Sequence, residues 1–136
     1  AYYTQFTPSG GDRPLVVSYA TSPAAEIVFA EDASVSEPST SVLSDSCYRQ
    51  VEYAGVLAGA ENSAGAQAVI DAMLSRKVQE DIPLNMFVYP VRADATLPEV
   101  FSDFTPVIAN STSLPPAQVS EQLASLLDTW GTVMNR

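Results

Sequence analysis

Residues 116–134 place Val119, Leu123, Leu126, Leu127, Trp130 and Val133 three and four positions apart, the spacing that lines one face of an α-helix. Pro116 at the head of this run suits a first helical turn, where a missing N–H removes no helical bond. The pattern predicts a closing helix from about Pro116 to Met134. A second helical repeat covers roughly Ser63 to Glu80, with Ala66, Val69, Ile70, Met73, Leu74 and Val78 on one stripe. Asn62 or Ser63 can cap it, Arg76 and Lys77 suit the dipole at its C-terminal end, and Pro83 is predicted to stop it.

The remaining segments are short. Leu15–Tyr19 is rich in β-formers and predicts a strand. Residues 24–31 (AAEIVFAE) fit either a helix or a strand, and periodicity does not separate the two. The Ser-rich stretch 33–46 reads as an exposed loop, and Tyr48 to Val56 as a strand leading into a helical turn. NMFVYPV, residues 85–91, predicts a strand or extended segment, and 92–115 a proline-bearing loop. At the other end, Tyr2, Tyr3 and Phe6 precede a Gly-Gly-Asp turn. Strand, loop, strand, helix, extended segment and helix make an α/β or α+β mixture.

Composition narrows function. With 136 residues and 46% hydrophobic content, the chain can hold one modest core. Sixteen acids against six bases, a net charge of -10, argue against nucleic acid and anionic membranes as partners, since phosphate binding needs clustered Lys and Arg. The sequence has no histidine, which excludes Ser-His-Asp, Cys-His and His-ligated metal chemistry within it. Its single cysteine, Cys47, offers neither an intrachain disulfide nor a thiolate cage, and reads as a structural thiol. No apolar run approaches a membrane span, and AYYTQF lacks the parts of a signal peptide. The start at Ala1 predicts a processed product or an excised piece.

Acidic pairs such as Glu26 with Glu31, or Glu80 with Asp81, sit in no motif that imposes geometry and read as solvated charge. No nucleophile elbow, P-loop or dinucleotide fingerprint is present. The expectation is a protein that is not an enzyme, with no catalytic residue, metal or cofactor. More informative are two polar-aromatic clusters: Tyr19 among Ser18, Thr21 and Ser22, and Phe87 and Tyr89 beside Asn85 and Pro90. Strand ends and aromatic faces with a few polar groups line small-molecule pockets. Equally, Tyr19 and Phe87 can be core residues and the hydroxyls turn formers, and the residues alone favour that plainer account.

Taken in order, LVVSYATSP, CYRQVEYAG, a helix closing in SRKVQEDIP, NMFVYPV and a terminal helix with Trp130 resemble the thiamine-binding periplasmic proteins of ABC importers. The family's pattern runs SYTTSPAY, YLQVE, FQ-x-x-IP, NWMYPV and a Trp-bearing terminal helix, and the agreement extends from about Tyr2 to Arg136. The resemblance implies an α/β fold: the C-terminal portion of a two-lobed type II periplasmic binding protein, a short mixed sheet flanked by helices. Residues 1–136 would be a single fragment, the C-terminal lobe and crossover, with the N-terminal half absent.

It also implies a solute-binding role, for thiamine or a thiamine phosphate, with lobe closure and no catalysis. The partners implied are a thiamine-like small molecule and an ABC permease, and the location is extracytoplasmic, either periplasmic or as a membrane-anchored lipoprotein. The ligand-binding residues expected are Tyr19, Ser18, Thr21, Ser22, Phe87, Asn85 and Tyr89. Tyr19 matches a family tyrosine at the cleft. Phe87 stands where the family has a stacking tryptophan, Ala25 where it has a second aromatic-site tyrosine, and Leu126 where it has an earlier tryptophan. Alternatives are a solute-binding protein for a different small ligand, cationic or not, or a stand-alone or truncated interaction and dimerisation module. A fragment that exposes the Val119–Trp130 stripe would be prone to self-association.

Overall fold

In the computed structural model, residues 2–134 are described. Ala1, Asn135 and Arg136 lie outside the described residues, as do the side chains of Tyr2 and Tyr3, so the aromatic opening read from the sequence falls there in part.

Among the described residues five α-helices follow one another: α1 (Ser22–Val28), α2 (Ser63–Met73), α3 (Arg76–Met86), α4 (Glu99–Phe104) and α5 (Pro116–Met134). The last has the bounds its repeat predicts. Its stripe is uncovered among the described residues: Leu123, Leu126, Leu127, Trp130 and Val133 are all exposed. Of residues 24–31, ambiguous by periodicity, 24–28 fall in α1, which has Pro23 in its first turn and closes at Phe29.

The predicted helix 63–80 is two helices. Asn62 caps the first, its Oδ1 accepting from Gly65 N at 2.9 Å. A Cβ at Gly65 would run into that same Asn62 side chain, so glycine is what lets the cap close. The helix ends at Leu74, and Ser75 turns to extended backbone (φ -64°, ψ 149°) to cap α3. Arg76 and Lys77 therefore open a helix rather than closing one, at the end where the dipole disfavours cations. Arg76 answers with an ion pair to Glu80 one turn on, at 2.7 Å. Pro83 does not stop the helix but lies buried inside α3, which runs on to Met86.

The expected α/β sheet is absent. Among the described residues there is no strand, only two isolated parallel bridges, Phe6 with Arg13 and Tyr48 with Thr112. Leu15–Tyr19, 48–56 and 85–91 are not strands. Leu15 and Val17 are exposed, so no neighbouring element rewards their β-propensity with a ladder or a packed face. The fold is helices and irregular segments, and the α/β expectation is corrected accordingly. The structure also adds a helix, α4, within residues 92–115, where the sequence pattern predicts a proline-bearing loop.

A small core sits where α1 packs on α4. Ala24 and Phe101 are fully buried there, Phe101 at 1% exposure, with Thr21 and Thr105 buried beside them. Buried Gln79 supplies a second tie. Its Nε2 donates to Met73 O at 2.9 Å and its Oε1 accepts from Val91 N at 2.8 Å, joining the end of α2 to the segment after α3. A buried amide with both ends satisfied holds its neighbours without a desolvation penalty.

Candidate ligand-binding site

The two clusters singled out in the sequence meet in space. Thr21, the N-cap residue of α1, donates its hydroxyl to Phe87 O at 2.6 Å, across 66 residues of chain. Phe87 is the C-cap of α3 and has a left-handed backbone (φ 53°, ψ 37°). A bulky residue rarely adopts that conformation, which glycine ordinarily fills at helix ends. Its N–H closes the helix on Pro83 O at 3.0 Å while its carbonyl is held by Thr21. Strain at Phe87 is thus maintained by bonds at both of its peptide groups.

The Phe87 ring has two aromatic neighbours, Phe29 at 5.2 Å between centroids and tilted by 42°, and Phe101 at 6.2 Å and inclined by 24°. Tyr89 meets Phe101 edge-on at 5.9 Å, and its hydroxyl is hydrogen-bonded to Thr105. Phe101 therefore anchors both Phe87 and Tyr89. Ring pairs of this kind add about 0.5–1.5 kcal/mol each beyond area burial.

The other expected residues are placed as follows. Ser18 and Ser22 share a hydroxyl–hydroxyl bond of 2.7 Å. Tyr19 is 65% exposed, so it is not a core residue, and its carbonyl accepts from Ser22 N at 3.0 Å. Asn85 is exposed and donates to Asp81 O within α3, at 2.9 Å. Thr21 and Phe87 are thus joined directly, Tyr89 joins through Phe101, and the Asn85 amide is engaged along its own helix.

Two residues here were not singled out by the sequence reading. Phe101 was hidden in a segment read as loop, although Glu99 in a first turn followed by Phe101 and Phe104 is a short helical signal. Phe29 follows Ala25 by one helical turn, a spacing that becomes meaningful only once α1 is known to be a helix that Phe29 closes.

Among the described residues no cluster of His, Cys, Asp or Glu could hold a metal ion. Glu26 on α1 accepts from Ser39 N and Oγ, both at 2.8 Å, and from the Thr40 hydroxyl, so it fastens the Ser-rich loop onto α1. Beyond Thr40, a cleft of about 330 Å³ opens between Pro23, Pro38, Val42 and Phe104. A neighbouring cleft of about 320 Å³ is walled by Phe6, Pro14, Leu15 and Leu43. Neither contains Tyr19, Phe87 or Tyr89. Shifted acids lie elsewhere: a backbone bond from Thr96 and then Arg76 hold the Glu80 carboxyl below its ordinary value, and Arg92 does so for Asp94.

The ordering of these segments is shared with known proteins. The chain is 32% identical over 126 residues to the thiamine-binding periplasmic protein of Escherichia coli strain K12. It is 29% identical over 126 residues to the protein of the same name from Salmonella typhimurium strain LT2. This chain is similar to thiamine-binding periplasmic proteins. The matches take in 93% of this chain but 37% of each relative, so the chain spans little more than a third of their length. No protein-family model matches it, and no solved structure does. The relatives are named as binding proteins rather than enzymes, and as periplasmic. No helix among the described residues is long and apolar enough to cross a membrane.

Proposed function

We propose that this chain is the C-terminal part of an extracytoplasmic solute-binding protein of an ABC importer, taking thiamine or a thiamine phosphate. The observation that carries the reading is the similarity, across 93% of the chain, to relatives named for thiamine binding. The joint between Thr21 and Phe87 supports it, because it brings LVVSYATSP and NMFVYPV together at one place. Thiamine offers a positive thiazolium and a flat pyrimidine. Both suit aromatic faces such as Tyr19, Phe87 and Tyr89, with Ser18, Thr21, Ser22 and Asn85 as polar neighbours. The rest of the site would come from the remainder of the protein. Closure around the ligand would present the bound form to the permease, with no covalent step.

Calorimetric titration of the full-length protein with thiamine and its phosphates tests this, repeated with Tyr19→Ala and Phe87→Ala. Saturable binding weakened by both substitutions is expected. No uptake of any thiamine form by the wild type refutes the ligand assignment.

A second reading, self-association, draws on the exposed α5 stripe, where Trp130 is 57% accessible. Sedimentation of the protein with and without Trp130→Glu separates the two. Loss of a dimer in the variant favours association, and a monomer in both forms removes it.

A further inference from the structure

We propose that Phe29 is a second aromatic contact of the ligand site, forming with Phe87 a two-ring seat for a flat organic cation; this rests on the thiamine-type reading above. Phe29 closes α1, its N–H donating to Ala25 O at 3.0 Å. Ala25 and Phe29 therefore stand one turn apart on the same side of the helix, a small methyl followed by a large ring. The Phe29 ring is 70% exposed yet held against Phe87, 5.2 Å away and tilted by 42°. Phe87 in turn is backed by Phe101, which is fully buried. The three rings form a series from the core outward, with rigidity supplied at the inner end and an open face at the outer one.

Phenyl rings carry no hydrogen-bond donor or acceptor. What they offer a ligand is a flat apolar face with a negative quadrupole, which selects planar groups and positive charge over neutral or anionic ones. A chain with a net charge of -10 adds a weak attraction of the same sign. Ala25 supplies no ring of its own, and Phe29 is the aromatic one turn away that meets Phe87.

The test is titration of the full-length protein with thiamine, comparing wild type, Phe29→Ala, Phe29→Leu and Phe29→Tyr, with melting temperatures recorded alongside. Because Phe29 is mostly exposed, melting temperatures should stay near wild type. Phe29→Ala and Phe29→Leu should bind about 3- to 30-fold more weakly, while Phe29→Tyr, which keeps the ring, should match wild type. Wild-type affinity in Phe29→Ala overturns the assignment. Wild-type affinity in Phe29→Leu, which keeps apolar bulk without a π-face, overturns the cation-selecting role. If Phe29→Ala fails to fold, the contrast between Leu and Tyr decides alone. Should the wild type take up no thiamine, the functional reading fails and this one with it; thiamine binding that is indifferent to Phe29 removes only the inference made here.

Discussion

The hydroxyl of Thr21 lies 2.6 Å from the carbonyl oxygen of Phe87, and this one bond ties the start of α1 to the end of α3. It satisfies the carbonyl of a residue whose backbone is strained, at a site partly shielded from water. Thr21→Val keeps the shape of the side chain but removes the donor. The loss should destabilise the protein by about 1–2 kcal/mol, while Thr21→Ser should lie within about 0.5 kcal/mol of wild type. Urea denaturation midpoints at a common slope measure both.

Phe101 is the inner anchor of the aromatic series, and at 1% exposure it has nowhere to relax. Phe101→Ala should cost about 3–5 kcal/mol, from lost transfer energy and the cavity left under Phe87 and Tyr89. The same denaturation series reports it, and a cost below about 1 kcal/mol would show that the stack does not depend on Phe101.

Phe87 is strained at φ 53°. Phe87→Ala loses the ring and keeps the strain, whereas Phe87→Gly loses the ring and relieves it. The glycine variant should therefore be the more stable of the two by about 1 kcal/mol, with both impaired in thiamine binding. Melting and titration of the pair separate the backbone contribution from the ring contribution.

Glu80 accepts from Thr96 N at 2.9 Å and pairs with Arg76 at 2.7 Å, and together these hold its carboxyl below its ordinary value of 4.5. A carboxyl depressed in the folded state stabilises fully above its unfolded pKa, and that contribution disappears as pH falls through the folded value. Wild type should thus lose stability relative to Glu80→Gln below about pH 4.5, with a constant difference between the two from there to neutrality. Because Arg76 is exposed and Glu80 only half-buried, salt should shrink the effect. Melting temperatures across pH 3–7 at low and high salt provide the check.

Much of the helical structure could be read directly. The stripe from Val119 to Val133 gave α5 its bounds, and the cap of α2 was narrowed to Asn62 or Ser63, of which Asn62 serves, because a helix satisfies its backbone between residues i and i+4 and needs no remote partner. Errors arose where a local signal had two outcomes. Ser75 as an N-cap and Arg76 as a C-terminal cation are both sensible readings of the same residues, and only the turn at Leu74 selects the first. Of the expected site, the resemblance implied only that Thr21 and Phe87 belong to one set of ligand-binding residues, while the bond between them, the posture of Phe87 and its ring contact with Phe29 came from the structure.

The sequence by itself determined the apolar face of α5, the acidic surplus, the exclusion of histidine chemistry within this chain and the similarity to thiamine-binding periplasmic proteins. Whether LVVSY became a strand was decided only by the tertiary structure, because a strand's hydrogen bonds must be met by a second segment far along the chain. Here none of the described residues meets them. The tertiary structure alone also turned Phe87 left-handed, since that conformation is held by the hydroxyl of Thr21, 66 residues away.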